Sequence, residues 1–165
     1  MKNTSVITIG LGLFVSASAL ASDDVNTTKN QNINKHYASA YQAICNQALE
    51  TVTIATTQDA APQLEKTLNA TDTLGLRVAN TEKATVYQQL AITEWNQKFV
   101  VATNGNYKIN IKGADAPITD VANLQCPDRN LTMHHFNTHE WGSYLLQIDI
   151  DSGKPLELVI HPTAN

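Results

Sequence analysis

The chain has 165 residues, a formal net charge of −4 at neutral pH and only 16% charged residues. This acidic balance differs from the basic stripe of proteins that bind nucleic acid or anionic membranes, so we expect no nucleic-acid partner. After removal of an N-terminal export signal, the remaining length suits one domain.

The first 21 residues have the pattern of a signal peptide. Lys2 supplies a positive start, residues 6–15 are largely apolar, and residues 19–21 read Ala-Leu-Ala before Ser22. An apolar run of about ten residues is too short to span a membrane, which needs about 20. The sequence therefore predicts cleavage after Ala21, a periplasmic or secreted location, and no membrane span in the mature chain.

A polar segment separates this signal from the first predicted helix. Residues 22–34 have almost nothing to bury, which predicts a flexible leader ahead of a single domain at 35–165. From Lys35 to about Thr57, apolar residues recur at three- and four-residue steps. This period predicts a long helix, for which Asn34 is a suitable N-cap.

A second, shorter helix is predicted where Asp59 and Pro62 form a typical helix start. The residues that follow favour extended structure. Residues 74–78 alternate between apolar and other side chains, as a strand does. The spacing in 84–95 fits a helix or a strand, and its β-branched residues favour the strand.

The clearest strand signal lies at 98–112. An apolar run at 99–102 precedes Asn104-Gly105, a dipeptide that tolerates the positive φ of a two-residue type I′ turn. Residues 107–111 then alternate between apolar and polar side chains, as in a strand with one face in solvent. The pattern predicts a β-hairpin at the centre of an antiparallel sheet.

The rest of the chain predicts a long loop and further strands. Residues 113–127 read as a loop, 131–141 as an extended run, and 143–150 with 156–161 as a closing hairpin. Together these elements predict an α+β fold. An N-terminal helix pair packs on a curved antiparallel sheet, a meander of five to seven strands, with one disulfide bond.

That disulfide bond is predicted from the two cysteines of the chain, Cys45 and Cys126. Export places them where thiols oxidise, and neither has the sequence surroundings of a catalytic thiol. The bond would tie the first helix to the loop before the last strands. Closing so long a loop stabilises a fold by about 4 kcal/mol in the chain-entropy model.

One segment, 133–141, carries residues suited to metal chemistry. Its candidate zinc or copper ligands are His134, His135, His139 and Glu140. The spacing matches neither His-Glu-x-x-His nor His-x-x-Glu-His, and a closed zinc site needs four ligands.

Two other interpretations of this segment stay open. In one, it is a polar strand in which Phe136 or Trp141 fills the core. In the other, Phe136 and Trp141 contact a partner together with His134, His135 and Asn137, because aromatic and amphipathic side chains dominate interface hot spots.

No catalytic motif accompanies the segment. The sequence lacks a Gly-x-Ser-x-Gly elbow, a phosphate-binding glycine loop and a Ser-x-x-Lys motif, so no catalytic residue is assigned. We therefore expect an exported, non-enzymatic binding or accessory protein that recognises a protein or an envelope component, as inhibitors and immunity proteins do. The alternative is a periplasmic protein that binds zinc or copper through His134, His135 and His139. A third hypothesis is a hydrolase whose dispersed catalytic residues come together only in the folded chain. No other cofactor is expected.

Overall fold

The computed structural model describes residues 21–78, 84–105, 107–150 and 155–164, and it shows an α+β protein that consists mainly of strands. The helical elements are α1 (Ala21–His36), α2 (Ala38–Asn46) and two short 3₁₀ turns, Gln58–Gln63 and Pro127–Arg129. The strands are β1 (Leu49–Val52), β2 (Leu68–Asn69), β3 (Leu74–Val78), β4 (Ala84–Ile92), β5 (Lys98–Thr103), β6 (Lys108–Ile111), β7 (Ala114–Ala122), β8 (Thr132–Thr138), β9 (Gly142–Ile150) and β10 (Leu156–Pro162). None of the helices in these residues is long and apolar enough to cross a membrane.

The strands form two sheets. The larger sheet has six strands in the order β1-β3-β10-β5-β8-β7, and the smaller has four in the order β2-β4-β9-β6. Neighbouring strands are antiparallel except for the pairs β1 with β3 and β2 with β4, which are parallel. The last strand, β10, lies inside the larger sheet between β3 and β5.

The main core lies between the two sheets. Phe99 and Val101 of β5 belong to the same buried cluster as Leu146 and Ile148 of β9. Full burial of one such side chain contributes about 1.5–3 kcal/mol, so this cluster is the main source of stability. The two sheets are therefore held together as a sandwich.

A second core covers the opposite face of the larger sheet. Val100 and Ala102, which alternate with the inward residues of β5, pack with Met133 of β8 beneath Tyr41 and Ile44 of α2. Because β5 is buried on both faces, its sequence is a continuous apolar run instead of an alternating one. The molecule thus has three layers: helices, the six-stranded sheet and the four-stranded sheet.

Both predicted hairpins are wrong, because their strands belong to different sheets. β5 pairs with β8 and β10, whereas β6 pairs with β9. Asn104 extends the larger sheet instead: its backbone N–H donates to the Glu157 carbonyl, and its side-chain carbonyl accepts the Glu157 N–H at 2.9 Å. In the second predicted hairpin, the two strands are β9, which lies in the smaller sheet, and β10, which lies in the larger. The predicted turn at 151–154 lies outside the described residues.

The structure also has two sheets where the sequence predicts one, and a strand where it predicts a loop at 113–127. Most of that loop is β7, an edge strand that pairs with β8. Its register shifts at two places and it contains Pro117, which an edge strand tolerates because one side needs no hydrogen-bond donor. Because of these irregularities, the apolar and polar residues of β7 do not alternate regularly, and the sequence pattern does not predict the strand.

The N-terminal segment differs from the prediction as well. Helix α1 includes 22–34, for which the sequence predicts a flexible leader. Ile33 packs against the second core, and Asn34 donates to the Ala122 carbonyl at 2.9 Å and accepts the Leu124 N–H at 2.8 Å. Asn34 therefore lies within a helix and is not its N-cap. These few contacts fasten an otherwise polar helix to the sheet.

The predicted helices are wrong in extent. The first ends at Asn46, and the β-branched residues Thr51 and Val52 lie in β1, which pairs with β3. A 3₁₀ turn that contains Pro62 takes the place of the second. The helical layer is therefore α1 and α2. The preference for a strand in 84–95 is confirmed by β4.

The predicted disulfide bond is confirmed. Cys45, at the end of α2, is bonded to Cys126 in the connection between β7 and β8, with their Cα atoms 6.0 Å apart. Beside it, the Asn123 side-chain amide donates to the Tyr41 carbonyl, and Arg129 donates to the Cys45 carbonyl at 2.8 Å. The bond and these contacts fasten α2 to that connection.

Candidate partner-binding site

The histidine-rich segment does not converge on one point. Successive side chains of a strand point to opposite faces, and β8 follows this rule. His135 lies opposite Val100, on the face that the helices cover, whereas His134 lies opposite Val101, on the face towards the smaller sheet. The sheet therefore separates the two imidazole rings.

His135 belongs to a buried aromatic group beneath the helices. Its Nε2 lies 2.8 Å from the Tyr41 hydroxyl, and its ring centroid lies 4.2 Å from that of Tyr37. Burial, with smaller contributions from His134 and His36, lowers the pKa of His135 from 6.5 to about 4. Burial also raises the pKa of the Tyr41 hydroxyl. Both groups are neutral at neutral pH, so the contact fits a structural role.

His134 is buried on the other face. Among the described residues its Nε2 has no hydrogen-bond partner. Burial lowers the pKa of His134, and the carboxylate of Asp120 partly opposes this effect. A neutral ring in this position can fill the core without an unpaired buried charge.

His139 and Glu140 lie in the exposed connection after β8. The Nε2 of His139 is 2.8 Å from a carboxylate oxygen of Asp115. Over the described part of the chain, no group of three or more His, Cys, Asp or Glu side chains is placed to hold a metal ion. Metal binding by His134, His135, His139 and Glu140 stays a prediction.

The two aromatic candidates for partner binding have opposite environments. Phe136 is 2% exposed and stacks on Phe99 with ring centroids 5.8 Å apart, so it fills the core and is not available to a partner. Trp141, in contrast, is 64% exposed. Only Trp141 therefore remains a candidate for contact with a partner.

A second exposed tryptophan, Trp95, is not among the site residues that the sequence predicts. It is 62% exposed and lies in the connection at 93–97 between β4 and β5. This connection passes from the smaller sheet to the larger, and the connection at 139–141, which carries Trp141, passes back. Both indoles thus belong to crossings between the sheets.

The two crossings lie side by side at one end of the sandwich. On the smaller sheet, Ile92 before the first crossing is paired with Gly142 after the second. On the larger sheet, the Thr138 N–H donates to the Gln97 carbonyl at 2.9 Å. Each crossing is therefore anchored to the other at both ends, and Trp95 and Trp141 are presented on adjacent backbone segments.

Each tryptophan directly follows a glutamate. We call Glu94, Trp95, Glu140 and Trp141 the tryptophan surface; all four are exposed. In the part of the chain that the structure describes, none of these four side chains forms an ion pair or a ring contact. The Glu-Trp dipeptide accounts for both tryptophans of the chain. That repetition is the sequence signal that could have revealed the site.

An open groove of about 360 Å³ begins beside the tryptophan surface. It runs between the 3₁₀ turn at Gln58–Gln63 and the outer face of the smaller sheet. Its lining residues are Gln58, Asp59, Pro62, Gln89, Ser143, Tyr144 and Leu145. The groove offers a partner a concave area of mixed polar and apolar character next to the two indoles.

Comparison with known proteins adds no relative to this picture. No family model matches the chain, and neither a curated protein nor a solved structure matches it. The function proposed below therefore depends on the geometry of this chain.

Proposed function

We propose that this protein is an exported, non-enzymatic binding protein whose partner docks on the tryptophan surface. The observation that carries the proposal is the exposure of Trp95 at 62% and Trp141 at 64% on adjacent crossings. Indoles are enriched in interface hot spots because they bury a large rigid area with little loss of side-chain entropy. Adjacent exposed apolar side chains of this size mark interaction sites on soluble proteins.

The anchoring of the two crossings supports recognition of a partner by a rigid surface. Backbone pairing fixes both ends of each crossing, at Ile92 with Gly142 and at Gln97 with Thr138. A surface that is already ordered loses little conformational entropy on binding. This property suits inhibitor-like or immunity-like recognition of a protein partner, with an envelope component as the other class of partner.

The disulfide bond supports the proposed location. A bond such as that between Cys45 and Cys126 forms and persists in oxidising compartments. The predicted signal peptide at 1–21, of which residues 1–20 lie outside the described part of the chain, points in the same direction. We therefore propose that the protein meets its partner in the periplasm or outside the cell.

Affinity capture with matched variants tests the proposal. Three forms of the protein are immobilised: wild type, the double variant Trp95→Ala/Trp141→Ala, and Leu124→Ala. Leu124 is the matched control because it is a large apolar residue, 46% exposed, in the connection between β7 and β8 at the other end of the sandwich.

We expect a partner from the host's envelope extract to bind wild type and Leu124→Ala alike. The tryptophan variant should bind it at least about tenfold more weakly, because loss of one hot spot costs about 2 kcal/mol or more. Circular dichroism should show the same fold for all three forms. Equal capture by the tryptophan variant, or no specific partner for wild type, would contradict the proposal.

A further inference from the structure

We infer that the partner segment that contacts the tryptophan surface is cationic and presents lysine or arginine side chains to it. This inference rests on the function proposed above, because it names the chemistry of the partner at the same surface. It starts from the charges that accompany the two indoles.

Carboxylates outnumber ammonium groups at the two crossings. Glu94 and Glu140 are each adjacent to an indole and, among the described residues, have no ion-pair partner. The ionisable residues in the two crossings and directly next to them are Glu94, Lys98, His139 and Glu140. Carboxylates outnumber ammonium groups in this set, and His139 is paired with Asp115. The charged residues directly adjacent to the two tryptophans in sequence are therefore both negative.

A carboxylate beside an indole is suited to a single cationic side chain. Arginine or lysine over an indole face gains about 0.5–1 kcal/mol at an exposed site and about 2 kcal/mol when it is desolvated. The adjacent carboxylate adds a charge-assisted hydrogen bond to the same cation. Because Glu94-Trp95 and Glu140-Trp141 repeat this arrangement on adjacent crossings, the surface fits a segment with two cationic side chains.

Other partner chemistries fit less well. An anionic segment would meet the like charges of Glu94 and Glu140. An apolar segment that covered the indoles would bury those two carboxylates without a partner, which is strongly unfavourable. The net charge of −4 also favours the approach of a positively charged partner.

Intrinsic fluorescence offers a direct test, because both tryptophans of the chain lie on this surface. The full mature protein is titrated with an arginine tetrapeptide amide and, separately, with a glutamate tetrapeptide. We expect a saturable change in emission with the arginine peptide only. Its Kd should rise by about tenfold or more when NaCl is raised from about 50 to 500 mM, because salt screens exposed charges.

Charge-neutral variants separate a local contact from general attraction. In Glu94→Gln/Glu140→Gln, which removes both charge-assisted contacts, the Kd for the arginine peptide should rise by at least about tenfold, or about 1.4 kcal/mol. Asp128→Asn is the matched control, since Asp128 is exposed in the 3₁₀ turn at the other end of the sandwich. That variant should bind as wild type does.

Two results would overturn the inference: equal responses to the two peptides, or a Kd that the glutamine changes leave unaltered. If capture of a partner depends on the tryptophans but the arginine peptide does not bind, the inference fails and the proposed function stands. If the peptide binds with the expected charge dependence but no captured partner depends on the tryptophans, the proposed function fails and the preference for cations stands.

Discussion

His135 and His139 are four residues apart in the chain and lie in opposite surroundings. His135 is buried beneath the helices, where Tyr41 hydrogen-bonds its ring and Tyr37 packs on it. His139 lies on the open end of the sandwich, where it pairs with the exposed carboxylate of Asp115. The same residue type is thus part of the packed interior in the covered region and pairs with a solvent-exposed carboxylate at the open end.

The two regions differ in whether their polar side chains are hydrated. A buried polar group must be neutral or paired, because desolvation of an unpaired charge is strongly unfavourable. The covered region therefore tolerates few substitutions. Exposed side chains keep their hydration, so Glu140 and Trp141 can be replaced with little effect on folding. Stability and binding should respond to different residues.

The largest expected contrast is between Phe136 and Trp141, two aromatic residues five positions apart. Phe136→Ala should lower the free energy of unfolding by about 3–5 kcal/mol, because it leaves a cavity in the core. Trp141→Ala should change it by no more than about 0.5 kcal/mol. Urea denaturation followed by circular dichroism measures both. Similar losses of unfolding free energy for the two variants would contradict this prediction.

The disulfide bond should stabilise the covered region by about 4 kcal/mol, because it closes a sequence separation of 81 residues in the unfolded chain. Cys45→Ser/Cys126→Ser should lose that amount in the same denaturation experiment. The variant should nevertheless keep its affinity for the arginine peptide under conditions in which it is folded, since the bond is remote from the tryptophan surface. Loss of both properties together would show that the two regions are coupled.

Acid should weaken the covered region through His135. In the unfolded chain this residue titrates near pH 6.5, whereas burial lowers its pKa to about 4 in the folded protein. Between these values the unfolded state binds more protons. The stability therefore falls as the pH decreases from about 6.5 to about 4, and His135 accounts for about 3 kcal/mol of that fall.

The variant His135→Gln isolates this contribution. Burial also lowers the pKa of His161, which is present in wild type and variant and cancels in the difference. The charge of His134 acts on His135, so the difference measures His135 together with this coupling. The stability advantage of wild type over His135→Gln should shrink as the pH falls through this window. Parallel profiles for the two proteins would show that His135 does not titrate in this way.

Local patterns predicted much of the strand content but not the pairing of strands. Alternation identifies β9 and β10, and β-branched residues favour β4. Alternation shows which side chains share a face, yet it does not say which strand lies alongside. The apolar run at 99–102 carries one further indication: a strand without a polar face is covered on both sides, whereas β6 alternates, so the two strands suit different positions in the molecule.

The site was predictable only in part, for the same reason. Trp141 stood out because it ends the histidine-rich segment. Trp95 ends the ambiguous segment at 84–95, and nothing local connects it to Trp141. Their proximity follows from the pairing of β4 with β9, strands that are distant in the chain. The repeated Glu-Trp dipeptide is the sequence feature that the two positions share.

The central position of β10 determines when folding can finish. β3 and β5 are joined only through this strand, the last one in the described chain. A polypeptide that emerges with its N-terminus first therefore holds two unpaired strand edges until residues 156–162 arrive. Pairings between strands far apart in sequence also form slowly. Newly made chains accordingly expose these edges until the last strand is available, and truncation before Leu156 leaves them open to aggregation.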